Sequence, residues 1–177
     1  MKSEYIEQAI NDYFDICFTH TDLAVNHNKG GYTNKNPFCI FMGKMTECIV
    51  YIANKNNATE PNFDLNGFDG GIDLYINNEP VSIKNRVLNY SKDVYHDSQN
   101  MAFGKQFNDT YNIVKTLTNN KCKYTIGVVR YNSNKYYEWE DAWEQRNLTK
   151  LKDLSQYFFE YESIWFSTKT GNVVIDC

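Results

Sequence analysis

Apolar residues recur at intervals of three and four near the start of the chain. Tyr5, Ile6, Ala9, Ile10, Tyr13, Phe14 and Cys17 fall on one side of an amphipathic helix predicted over residues 3 to 18. The pattern stops in residues 26 to 37, Asn-His-Asn-Lys-Gly-Gly-Tyr-Thr-Asn-Lys-Asn-Pro, whose polar, glycine-containing composition predicts a loop. It resumes over about 43 to 55, where Met45, Cys48, Ile49 and Ile52 define a second helix.

The period then changes from 3.6 to 2. Residues 56 to 71 read as turn and loop. From Gly71 to Ile76, apolar Ile72, Leu74 and Ile76 alternate with Asp73 and Tyr75, which predicts a strand. Asn77-Asn78 reads as a turn, and Pro80-Val81-Ser82-Ile83-Lys84 as the returning strand. A two-residue turn pairs positions whose numbers sum to 155, so Asp73 faces Ser82 and Gly71 faces Lys84. Side chains alternate along a strand, which puts Asp73, Ser82 and Lys84 on one face and Ile72, Leu74, Val81 and Ile83 on the other. A one-residue slip would undo the arrangement.

Beyond the hairpin, Met101, Phe103, Phe107, Tyr111, Val114 and Leu117 predict a helix over about 98 to 118. The run Tyr124 to Tyr131 predicts a buried central strand. Residues 150 to 161 predict a helix, and 163 to 166 and 173 to 175 late strands. This order of elements predicts an α/β (α+β) fold, with a mixed central sheet flanked by helices in a single domain over residues 1 to 177.

Composition narrows the function classes. With 42% hydrophobic and 16% aromatic residues, the chain is too apolar for a disordered segment. No apolar run approaches the roughly 18 residues of a membrane span. The polar start, Met1 to Tyr5, does not resemble a signal peptide. Five cysteines (Cys17, Cys39, Cys48, Cys122 and Cys177) make an odd number with no CxxC spacing, which points to a reducing, cytoplasmic compartment rather than disulfides or zinc. The net charge of −4 argues against a passive basic nucleic-acid binder, but not against an enzyme that gathers carboxylates around a metal ion. There is no P-loop, dinucleotide-binding glycine fingerprint, HExxH or GxSxG, which argues against nucleotide-driven motors, dehydrogenases, zinc proteases and serine hydrolases.

Gly70-Gly71-Ile72-Asp73, a short strand, a turn and Ser82-Ile83-Lys84 together resemble the core of the PD-(D/E)xK nuclease superfamily, and particularly type II restriction endonucleases with an SxK variant of the motif. Glu47, in the preceding helix, matches the acidic residue that such enzymes often add. The resemblance spans about residues 43 to 99. It departs from the usual pattern at Ile72, where Pro is common, and at Ser82, where the motif has an acid. Some members of the family supply that acid from a later helix, and Asp97 follows Lys84 after twelve residues. Asp93 and Asp69 are further candidates.

The resemblance implies a Mg²⁺-dependent endodeoxyribonuclease, with Mn²⁺ able to substitute. Asp73, Glu47, Ser82 and Lys84 are its implied catalytic residues, and Asp73, Glu47 and Asp97 its implied metal ligands. Metal would activate water for attack on phosphorus, and Lys84 would stabilise the developing charge. Arg86, Asn89 and Lys92 are candidates for contacts to nucleic acid. Double-stranded DNA is the expected partner, with no membrane, and a homodimer would suit a palindromic site. A junction resolvase or repair nuclease is the neighbouring alternative. A non-catalytic binding protein that keeps a nuclease-like fold is the other, favoured by Ser82.

Each residue also has a plain structural reading. Asp73 and Lys84 also read as a surface ion pair, Glu47 as a solvated helix residue and Asp97 as a helix N-cap. His20, His27 and His96 lack metal-ligand spacing and are expected at the surface. The aromatic run from Tyr136 to Trp143 suits core packing better than base stacking.

Overall fold

A computed structural model of the chain describes residues 2–32, 35–65, 71–88, 122, 124–131, 134–161, 163–169 and 172–174. These form a mixed α+β arrangement with four helices and one five-stranded sheet among the described residues. Helix α1 covers Ser3–Asn26 and α2 covers Pro37–Ala53. Strands β1 (Leu74–Ile76) and β2 (Glu79–Leu88) follow, then β3 (Tyr124–Tyr131), helices α3 (Lys135–Glu144) and α4 (Leu148–Glu160), and strands β4 (Ser163–Lys169) and β5 (Asn172–Val174).

Over Leu74–Ile76 the hairpin has the expected register, but the strand pairing ends at Leu74, so the expected Asp73–Ser82 and Gly71–Lys84 pairs are not part of it. Leu74 pairs with Val81, Tyr75 with Pro80 and Ile76 with Glu79. Asn77 and Asn78 take φ of 52° and 63°, the left-handed pair that a tight hairpin turn needs. Asparagine is among the few residues that accept this conformation cheaply. The outer side of β1 is also occupied. Thr59 N donates to Tyr75 O (2.9 Å) and Asn77 N to Asn57 O (2.8 Å), so the segment after α2 covers a strand edge that would otherwise be open.

The sheet runs in chain order from β1 to β5, with only β2 and β3 parallel. Ile83 pairs with Ile126, Asn85 with Val128, and Val128 with Trp165. Leu74, Val81, Ile83, Val128 and Trp165 belong to the core, together with the apolar faces of the helices. Asn85, the polar member of this row, reaches α2 and donates to Thr46 Oγ1 at 2.7 Å. A parallel pair needs a long crossover. The helix expected over 98 to 118 falls in that crossover and lies outside the described residues.

Helix boundaries differ from the periodicity in instructive ways. α1 continues eight residues beyond the expected end because its buried face carries on through His20, Thr21 and Ala24. Thr21 satisfies its hydroxyl on the Cys17 carbonyl at 2.8 Å. α2 starts at Pro37, not near 43: Asn36 Oδ1 accepts from Phe38 N (2.9 Å) and Cys39 N (3.4 Å), and Pro37 sits in the first turn. The aromatic run forms α3, whose Trp139 and Trp143 are buried and stacked at 5.7 Å. Trp139 meets Phe38 and Phe41 of α2, and Phe158 of α4 meets Phe38, so packing explains these rings.

Candidate active site

A cavity with about 70 Å³ of water-accessible room lies where α1, α2 and the start of the hairpin converge. α2 contributes Lys44 and Glu47. Asp73 enters immediately before β1, and Asn62, Asp64 and Leu65 come from the segment after α2. His20 of α1, with Gly30 and Tyr32 of the following loop, completes the wall. Gly30 has φ of +78°, a left-handed conformation that strains any other side chain, and a Cβ there would also push Leu65 Cδ2 aside from 2.7 Å. The room suffices for a few waters, or an ion that keeps part of its hydration shell.

Glu47 and Asp73, picked from the sequence as a helix acid and a strand acid, thus line one cavity. Both already have partners. Lys44 Nζ lies 2.8 Å from Glu47 Oε2, with side chains only 10% and 13% exposed. Asp73 Oδ2 accepts from Ile83 N at 2.6 Å, and Asp73 N donates to Val81 O at 3.0 Å. The carboxylate therefore also fixes the entry to the hairpin. Lys44 Nζ donates in addition to Asn62 O at 2.9 Å and lies 5.8 Å over the Phe63 ring.

Electrostatics follow from this crowding. Burial alone would lower the Lys44 pKa, but the Glu47 charge and hydrogen bond outweigh it and hold the ammonium above its ordinary value. His20 is a correction to the expected surface position, being 5% exposed. Burial, helped by the Lys44 charge, pushes its pKa down to about 4, so the ring is neutral near pH 7. Its Nε2 meets Tyr32 Oη at 2.9 Å. A hydrogen bond with the Phe63 backbone partly opposes the shift.

Other sequence candidates fall elsewhere. Ser82 is fully buried, and its Oγ has no hydrogen-bond partner among the described residues. Lys84 is half-buried on β2, paired with Gly127. Neither Ser82 nor Lys84 lines the cavity. The backbone of Arg86 belongs to β2, but its side chain lies outside the described set, as do Asn89, Lys92 and Asp97.

Lys44, His20, Tyr32 and Asp64 were not candidates from sequence. Lys44 was the most legible of them, because it stands three residues before Glu47, a spacing that makes helix neighbours. Among the described residues, no group of three or more His, Cys, Asp or Glu side chains is arranged to hold a metal ion. Cys17 and Cys48 lie 3.7 Å apart between α1 and α2 as free thiols. No described helix is long and apolar enough to cross a membrane. No protein-family model, curated protein or solved structure matches the chain.

Proposed function

We propose that the chain is a metal-dependent DNA endonuclease of restriction type, its mixed α+β arrangement being a restriction-endonuclease-like fold. One observation carries this reading. Glu47, from the helix before the hairpin, and Asp73, at the entry to its first strand, converge on one polar cavity. Their separation of 26 positions in sequence makes that convergence a property of the fold, not of local spacing.

The donor chemistry fits a hydrated Mg²⁺ ion, which takes oxygen ligands and is commonly held by one or two carboxylates with several waters. Glu47 and Asp73 would hold it, with Asp64 on the same wall. Mn²⁺ would substitute. The ion would supply Lewis acidity and neutralise charge for hydrolysis of a phosphodiester. Asp73 keeps its carboxylate fixed through Ile83 N, so its orientation is set before any ligand arrives. In this reading Lys84 meets the phosphate from the sheet, and double-stranded DNA binds a homodimer.

A non-catalytic protein of the same fold is a second reading. The Lys44–Glu47 pair and the buried Ser82, where the resembled motif carries an acid, favour it. Supercoiled plasmid incubated with Mg²⁺, and in parallel with EDTA, separates the two. The nuclease reading expects nicked or linear product with Mg²⁺ alone, and its loss in Asp73→Ala at unchanged circular dichroism. Intact plasmid throughout would leave the binding protein as the better account.

A further inference from the structure

We infer that the outer side of the β1–β2 hairpin carries a second binding site, suited to a neutral, hydroxyl-rich ligand of the pyranose-sugar class. A depression with about 360 Å³ of water-accessible room lies where the segment after α2 meets the hairpin turn. Asn56, Asn57, Asn77 and Asn78 line it, with Thr59 and Tyr75. Among the described residues, no charged side chain lines it. Its volume falls in the range of roughly 300–1,000 Å³ common to small-ligand sites. It shares no lining residue with the Glu47–Asp73 cavity, so the inference stands apart from the nuclease reading.

The lining chemistry narrows the ligand. An asparagine side chain offers both donors and an acceptor. All four asparagines are exposed, and their side chains make no hydrogen bond within the described residues. The Tyr75 side chain beside them is 42% exposed. An aromatic face is electron-rich and attracts the polarised C–H groups of a pyranose ring, while the sugar hydroxyls match amide donors and acceptors. A nucleotide would bring phosphate charge, and the lining holds no Lys or Arg to meet it. The walls are also fixed before any ligand arrives. Asn77 N donates to Asn57 O at 2.8 Å, Thr59 N to Tyr75 O at 2.9 Å and Tyr75 N to Thr59 Oγ1 at 2.9 Å, which ties the two sides of the depression together. The left-handed turn sets the Asn77 and Asn78 backbone, so binding orders little beyond the amide side chains.

Proton–nitrogen correlation spectra of the wild-type protein, titrated with the methyl glycosides of glucose, galactose, mannose and N-acetylglucosamine, test this without any variant. At least one glycoside should give saturable shifts of the Asn56, Asn57, Asn77 and Asn78 side-chain amides. Its dissociation constant should lie in the millimolar range, as expected of a small ligand at an open, water-filled site. Adenosine and glucose 6-phosphate are the aromatic and charged comparisons, and both should bind more weakly than that glycoside. Tyr75→Ala keeps the backbone bonds to Thr59 and the pairing with Pro80, and it should weaken glycoside binding about tenfold, the size of one lost ring-face contact. No saturable shift of these amides with any of the glycosides overturns the site. Tighter binding of adenosine overturns the sugar assignment in favour of base stacking, and tighter binding of glucose 6-phosphate overturns the preference for a neutral ligand. Unchanged affinity in Tyr75→Ala overturns the role of the ring. If that variant does not fold, Asn56→Ala, in the exposed turn after α2, should weaken binding instead, and unchanged affinity there counts against the site.

Discussion

Helix α2 has two sides that obey different rules. Its apolar side buries Phe38, Phe41, Met45 and Ile49, and meets rings from α1, α3 and α4. Its polar side holds Lys44 and Glu47 over the cavity. The apolar side gains from burial in any well-packed arrangement, because dispersion and the hydrophobic effect are not directional. The polar side is stable only while each charge keeps a partner. Function is therefore more readable on the side where pairing is exacting.

The apolar side breaks hardest. Trp139→Ala removes a fully buried ring that touches Phe38 and Phe41, and it should cost about 3–5 kcal/mol in urea denaturation. The polar side gives a sharper test, because the order of substitution matters. Glu47→Leu alone leaves the Lys44 ammonium without its carboxylate and should cost about 2–3 kcal/mol, discounted for partial exposure. Adding Lys44→Met should recover most of that loss, since an apolar pair can replace a buried ion pair at little cost. A double variant no more stable than the single one would show that the pair is not the source of the penalty.

His20 separates the two sides by pH. Its folded pKa of about 4 lies below the ordinary 6.5, so the unfolded chain takes up the proton first. No penalty exists above pH 6.5. It grows as pH falls toward 4, reaching about 2 kcal/mol near pH 4.5. Between pH 7 and 4.5 the stability of wild type relative to His20→Gln should fall by that amount in melting experiments. Parallel curves would mean that the ring is not held neutral. The smallest effect belongs to Ser82→Ala. Removing a buried hydroxyl that has no partner among the described residues should leave stability unchanged or raise it by up to about 1 kcal/mol. A loss of more than that would reveal a hydrogen bond at Ser82.

Legibility in the sequence followed the same division. The hairpin could be read because alternation and Asn77-Asn78 are local and agree with each other. The end of α1 could not, because its buried face passes through His20 and Thr21, whose polarity hides the helical period. The start of α2 was obscured because Asn36-Pro37 reads equally as the end of a loop or as a cap. Glu47 and Asp73 were legible as candidates through a motif resemblance. Tyr32 and Asp64 gain their meaning only from tertiary proximity, which no spacing rule reports.

The pairing of β2 with β3 carries a consequence for how the molecule assembles in time. Positions 81 and 124 are partners at a separation of 43, whereas the β1–β2 hairpin closes around two residues. Closing a 43-residue loop costs roughly 3 kcal/mol of chain entropy before any pairing repays it. The hairpin and the α1–α2 contact are the more local events. The central parallel pairing is then the slow step, and substitutions at Val128 should retard folding more than equally destabilising ones at the hairpin turn.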